Sequence, residues 1–261
     1  MAGDPVPAVT EAEARGETAD IFADLRGVMG VKVVNLIWRH IATIPGALPA
    51  AWGMLRPLYA SGAVEEQSRA LRAALELPHL APIPTPPAIR DILTAYDTGN
   101  GLNLLGLNAL LLRLDGAAVI PAGLPPRPAP APGPALPPLL NLDAMDAATA
   151  ARVLRLNLMG ASDGGAILAS LYRHLAHWPD YLSAAENRLA PLAADGRLEN
   201  IIETTRGLAR RQAQALLRGM GPDLPPPAAL APLRAGVSAF TSHAIARMVP
   251  IGAMLYRAAT P

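Results

Sequence analysis

The sequence predicts an all-α protein: two pseudo-repeats of one helical bundle, packed about a pseudo-two-fold and joined by a proline-rich linker. Three observations carry that expectation. Apolar residues recur at helical spacing through most of the 261 residues, and few stretches show the β-branched or aromatic alternation of strands. A shift of 134 residues lays Trp38-Arg39-His40-Ile41-Ala42 on Tyr172-Arg173-His174-Leu175-Ala176, and fourteen of the 35 positions from 38 to 72 are identical without a gap. Between the copies, residues 121–138 hold nine of the 28 prolines. The chain therefore reads as a first helical repeat over 1–120, a linker over 121–138 and a second repeat over 139–261.

The first repeat opens with Gly16 to Met29, where Ile21, Leu25 and Val28 share a helical face. Asn35 to Thr43 runs into Pro45, Gly46 to Ala60 stops before Gly62, and Ala63 to Glu76 meets the proline-rich stretch Pro78 to Pro87. Proline and glycine at those places are the expected stop signals. Ile89, Ile92, Leu93 and Tyr96 define a further stripe, which Gly99-Asn100-Gly101 interrupts before Leu102 to Leu114. Proline fixes φ, lacks a backbone donor and biases its predecessor towards extended backbone, so 121–138 is expected as a semi-rigid polyproline-II connector. A ligand for a proline-recognising partner is the alternative. The second repeat continues with Asp146 to Leu158, Ile167 to His177, Leu182 to Ala193, Glu199 to Gly219 and Ala228 to Ala258. Neither unit is polar all round, so their apolar faces are expected to close on each other.

Composition excludes several classes of function. Lys+Arg 22 against Asp+Glu 21 leaves +1, so no global field favours nucleic acid or an anionic membrane. The absence of cysteine removes disulfides, thiol nucleophiles and thiolate zinc sites. The longest uncharged helix-compatible run, Thr98 to Leu112, holds three asparagines and is too short and polar to span a bilayer. Met1 to Gly16 carries charges and no apolar stretch of signal-peptide length. A cytoplasmic protein that takes a small-molecule ligand, without metal or cofactor, is the expectation.

Three constellations are candidates for chemistry. The repeated pairs Arg39-His40 and Arg173-His174 close their helices, where cations complement the helix dipole and bond orphan carbonyls; the functional alternative is an arginine that grips a substrate carboxylate. His174 and His177 share a face, but no carboxylate or third histidine stands at zinc-ligand spacing. Gly160-Ala161-Ser162-Asp163-Gly164 matches a nucleophile elbow, with Asp180 and His243 following in Ser…Asp…His order and Leu154, Leu156 and Leu158 alternating as a leading strand would. The elbow needs a parallel sheet, so the competing reading is a turn with Ser162 or Asp163 capping the next helix. Gly99-Asn100-Gly101 is either a kink or C-cap or a polar break where Asn100 orients a water or substrate.

The stretch Asn35-Leu-Ile-Trp-Arg-His-Ile-Ala-Thr-Ile-Pro-Gly-Ala-Leu-Pro-Ala-Ala-Trp52 resembles the group I, non-stereospecific 2-haloacid dehalogenases (the DehI family). So do Ala95-Tyr-Asp-Thr-Gly-Asn100 and the segment from Ala169-Ser170 to Trp178-Pro179, and the likeness covers most of the chain. The resemblance implies an all-α homodimer with a site between the repeats, which hydrolyses short 2-haloacids by direct attack of water on the α-carbon. It places the water-positioning asparagine at Asn100 and a substrate pocket at Val33, Leu36, Ser170 and Leu171, to which the carboxylate-gripping reading of the Arg-His pair adds Arg39. Aligned on Trp178-Pro179, the family's essential aspartate falls on Leu171, which cannot take a proton. The chain's own Ala161-Ser162-Asp163 lies eight residues earlier, so Asp163 is the base if the chain is an enzyme. Otherwise it is a diverged homologue that binds a small apolar or carboxylate ligand without turning it over.

Overall fold

A computed structural model describes residues 6–261. The first five residues, part of the segment read for a leader, lie outside the described residues. The chain is mostly helical. Helix α1 (Gly16–Met29) buries Phe22, Leu25 and Met29 and ends at Gly30, whose N–H bonds Arg26 O from a left-handed φ of 68°. The short α2 (Leu36–Ile41) is capped by Asn35, whose side chain accepts from Ile37 N. Gly62, at φ 82°, ends α3 (Ala47–Ser61) and opens α4 (Ala63–Ala74). These bounds follow the sequence signals closely, because proline and glycine act locally.

The long α5 (Pro87–Leu114) corrects the expected interruption. It runs 28 residues without a break, and neither Gly99 nor Gly101 has a positive φ. Glycine has a packing role here: a Cβ on Gly101 would run into Ser68 Oγ of α4, and one on Gly106 into Tyr59 Oη of α3. Small residues let the helices approach closely where the sequence alone suggested a kink.

The second half opens with α6 (Ala147–Leu158), capped by Asp146 through Ala148 N at 3.0 Å and Thr149 N at 2.9 Å. The Leu154, Leu156, Leu158 alternation is therefore helical: Leu156 is buried while Leu154 and Leu158 lie on the exposed side. The following segment is a turn with Gly160, Gly164 and Gly165 at positive φ, closed by Gly165 N donating to Asp163 Oδ1 at 3.1 Å. Neither Ser162 nor Asp163 caps the next helix, since α7 is confined to Ser170–Leu175 and follows Ala169. The helix expected over Ile167 to His177 is thus shortened at both ends. Next come α8 (Pro179–Ala194) and α9 (Arg197–Ala213), which tightens into a 3₁₀ turn over Gln214–Leu217. Finally α10 (Pro227–Ala239) passes through a π turn at Phe240–Ala244 into α11 (Ile245–Ala258). The two-residue strands β1 (Ile83–Pro84) and β2 (Ala259–Thr260) pair in parallel and fasten the chain end. No helix among the described residues is long and apolar enough to cross a membrane.

Helix bounds keep the sequence offset: α7 starts and ends 134 residues after α2, and α9 starts 134 after α4. Two apolar cores form, and each draws on both halves of the chain. One gathers α1–α4 with the later part of α5 and adds Leu233, Val237 and Phe240. The other gathers α6–α9 and takes Ile89, Ile92 and Leu93 from the start of α5. Helices α5 and α11 pair more extensively than any other two elements and run through both cores. Residues 121–138 form no helix but follow a defined path. Arg127 N bonds Ala60 O at 3.0 Å, Gly133 N bonds Gly30 O at 2.9 Å, and His177 Nε2 meets Pro138 O at 2.8 Å.

Candidate functional site

Two cavities meet at Asn100 on α5. The larger, about 490 Å³, is walled by the end of α1 and the turn into α2, by the middle of α5, by the first turns of α7 and by the proline strap from Pro130 to Leu139. The smaller, about 40 Å³, adds Leu171, Phe240 and Met248. Asn35, Leu36, Tyr96, Asn100 and Ser170 line both. At roughly 30 Å³ for each liquid water, the smaller chamber has room for about one water.

The walls are wired to α5 from either side. Trp38 Nε1 donates to Asn103 Oδ1 at 2.7 Å, and Asn103 Nδ2 donates to Gly99 O at 2.8 Å. On the α7 side, Tyr96 Oη is 2.7 Å from His174 Nδ1, and Ser170 also bonds the Tyr96 hydroxyl. His174 makes a further hydrogen bond to the backbone of Pro137. Proline offers a carbonyl and no N–H, so the other ring nitrogen donates there and Nδ1 accepts from Tyr96. Burial pushes His174 down to about 4, with Arg173 and His177 also disfavouring its cation. Burial likewise pushes Tyr96 and Tyr59 above the ordinary tyrosine range. Asn100 differs from Asn103 in one respect: it is 5% exposed, and its Nδ2 has no hydrogen-bond partner.

The residues singled out from the sequence separate into groups. Leu36, Asn100 and Ser170 line both cavities, Val33 and Arg39 the larger, and Leu171 the smaller. Leu171 is fully buried in the second core. Asp163 lines neither cavity. Its carboxylate closes the turn at Gly165 and acts on Arg247, whose guanidinium is 1% exposed and donates to Asn157 Oδ1 at 3.1 Å. Desolvation lowers the pKa of Arg247, and Tyr172 and Asp163 oppose that shift. Among the described residues, Glu65 is the one carboxylate lining the larger cavity, and it is paired with Arg127 and Arg69. Ser162 Oγ lies 3.2 Å from His243 Nδ1, but Asp180 belongs to the exposed first turn of α8, and the parallel pair among the described residues, β1 with β2, does not include the turn. Among the described residues, no three His, Asp or Glu side chains gather as metal ligands would.

Sequence reasoning missed two features of the site. Tyr96 reads as one member of an apolar stripe, and its hydroxyl partner His174 as a helix-end cation. Their pairing joins residues 78 apart in sequence and leaves no local signal. The proline strap reads as a spacer because proline constrains φ but does not say what the chain lies against.

No family model and no curated protein matches the sequence. The fold is that of all-helical 2-haloacid dehalogenases. Three solved structures of D-2-haloacid dehalogenases share it. A mutant bound to D-2-CPA has a TM-score of 0.70 at 17% identity, covering 98% of this chain and 97% of that one. A second mutant has a TM-score of 0.75 at 18% identity, with coverage of 99% and 97%. The complex with L-LA has a TM-score of 0.75 at 18% identity, with coverage of 99% and 98%.

Proposed function

We propose that this chain is a catalytically diverged relative of the 2-haloacid dehalogenases, group I in kind, which binds a small ligand in the larger cavity and does not release halide. Two related helical units would pack about a pseudo-two-fold, with the proline segment as their connector, and the chain would form a homodimer. The observation that carries this reading is the absence of a base beside Asn100. Water that displaces halide from a tetrahedral carbon must give up a proton, usually to a carboxylate held in an apolar pocket. Among the described residues, the smaller chamber has no carboxylate, Leu171 occupies the position that the resemblance assigns to one, and Glu65 is committed to Arg127 and Arg69. His174 Nδ1 is engaged with the Tyr96 hydroxyl at 2.7 Å.

The hydrolytic reading draws support from one observation, the placement of Asn100 where the two cavities meet, which suits holding a water in line. That reading needs Asp163 to leave its turn and reach the cavity. The test is halide release from both enantiomers of 2-chloropropionate at high protein concentration. The expected rate equals that of buffer, for the wild type and for Asp163→Asn alike. A wild-type rate that Asp163→Asn abolishes would overturn the proposal, and sedimentation of the purified chain checks the dimer.

A further inference from the structure

The polar side chains around the larger cavity are spent on the protein itself. Trp38, Asn103 and the Gly99 carbonyl form one chain of hydrogen bonds, and Ser170, Tyr96, His174 and the Pro137 backbone form another. The Tyr59 hydroxyl donates to Leu102 O at 3.2 Å, and the Thr94 hydroxyl to Arg90 O at 2.8 Å. Asn100 Nδ2 is buried out of reach of the cavity. The charged groups of the lining are exposed or matched: Lys32 is exposed, Glu65 pairs with Arg127 and Arg69, and Arg39 is already engaged. Most of the remaining lining is apolar, with Val28, Leu36, Leu102 and Leu136 beside Pro130 and Pro134 of the strap, and proline adds no N–H to it.

An anion enclosed here would give up its hydration for groups that are already paired, which is costly. A neutral apolar molecule pays no such cost and gains from the apolar surface it covers. We infer that the larger cavity takes a neutral, hydrogen-bond-poor molecule, comparable to an alkylbenzene in polarity, rather than a carboxylate. At about 30 Å³ per water, 490 Å³ corresponds to about sixteen waters, which bounds the ligand at about sixteen non-hydrogen atoms. This rests on the ligand-binding reading above and names the class of ligand. The internal pairing of the polar groups sets specificity, because a donor that already has its acceptor offers little to a ligand. Size sets affinity, because each methylene that leaves water strengthens binding up to about fourfold.

Calorimetric titration of the full chain at pH 7 with butylbenzene, benzene, 3-phenylpropionate and 3-phenylpropylammonium tests this, since the last two match butylbenzene in shape and differ in charge. Butylbenzene is expected to bind at least about 10-fold more tightly than either charged compound and at least about 10-fold more tightly than benzene. Leu136→Trp on the strap and Val28→Phe on α1 fill the cavity and should each weaken butylbenzene about 10-fold, with thermal unfolding to show that both variants fold. Either charged compound within about threefold of butylbenzene would overturn the inference. So would no binding of butylbenzene at its solubility limit, or an affinity that neither filled variant changes. Halide release from 2-chloropropionate on the same samples keeps the two claims apart. Turnover with the neutral preference intact removes only the non-enzyme reading, a charged compound binding best without turnover removes only the ligand class, and turnover without the neutral preference removes both.

Discussion

Helices α2 and α7 carry the same Arg-His pair, 134 residues apart, and present opposite members of it to the larger cavity. From α2, Arg39 lines the cavity, while His40 turns outward to Pro7 O at 2.8 Å and packs its ring near Phe240. From α7, His174 lines the cavity and bonds Tyr96, while Arg173 is buried against the end of the strap, with Nε on Leu140 O at 2.8 Å and Nη2 on Asn141 Oδ1 at 2.5 Å. One idiom thus supplies a cation on one wall and a neutral imidazole on the other. Both side chains stand in a last helical turn, where either satisfies the helix end. The surroundings decide which of them faces the cavity: the N-terminal segment takes His40, and the strap takes Arg173.

The largest expected effect comes from asking α7 to supply the group that the fold's chemistry would need. Leu171→Asp places a carboxyl in a fully buried site with room for about one water beside it. It should destabilise the chain by about 3–5 kcal/mol, read as a lower urea midpoint, without gaining halide release. The equivalent position on α2 is Ile37, equally buried. If Ile37→Asp were tolerated and Leu171→Asp were not, the two helices would differ in packing as well as in wiring.

A smaller contrast concerns the aromatic residue that precedes each Arg-His pair. Trp38 is fully buried, donates to Asn103 and meets Trp52 edge to face at 5.7 Å. Trp38→Phe leaves a cavity and strips Asn103 Oδ1 of its donor, at a cost of about 2–4 kcal/mol. Tyr172 is also fully buried, but its hydroxyl has no partner. Tyr172→Phe should stay within about 1 kcal/mol of wild type, as denaturant titration would show. Equal losses at the two positions would mean that the unpartnered hydroxyl contributes as much as the paired indole.

The wiring of α7 also gives stability a pH dependence. The folded pKa of His174, about 4, lies below its ordinary 6.5. Between those values the unfolded chain takes up a proton that the folded chain refuses. The contribution is therefore fully present above pH 6.5 and is lost as pH falls towards 4, about 3 kcal/mol in all. Protonating Nδ1 would also remove the acceptor that Tyr96 uses. Urea midpoints between pH 4 and 7 should show this slope, and His174→Gln should flatten it. A slope unchanged in His174→Gln would assign it to other groups.

How much of this was legible follows the range of the signals. Gly30 and Gly62 end helices through their own backbone, and Asp146 caps through its own side chain, so those bounds could be read directly. Gly101 reads as a break because its cause is a neighbour, Ser68 of α4, that no local pattern announces, while nothing in the structure explains Gly99. The shortening of α7 reflects the Gly164-Gly165 turn, and Asn157, whose Nδ2 holds Gly165 O at 2.9 Å and whose Oδ1 takes Ala169 N at 3.0 Å. Asn100, Leu36 and Ser170 could be assigned to one place by resemblance. That Asp163 points away from it, and that the strap forms a wall of the cavity, are set by tertiary contacts.

The same Asn157 accounts for the smallest contrast, between the two helix starts. Asn35 caps α2 through Ile37 N, and the residue 134 positions later is Ala169, which makes no side-chain cap bond. Asn35→Ala should cost about 1 kcal/mol, a fall in Tm of about 2–4 °C for a chain of this size. The reverse change, Ala169→Asn, should not recover that amount. Ala169 is buried at 6% exposure in the second core, so the added amide must displace apolar neighbours before it can cap anything. Thermal unfolding of the two variants separates the alternatives: a loss at 35 with no gain at 169 means that α7 is positioned by Asn157 and the turn behind it, whereas equal and opposite shifts would mean that the two helices start by the same local rule.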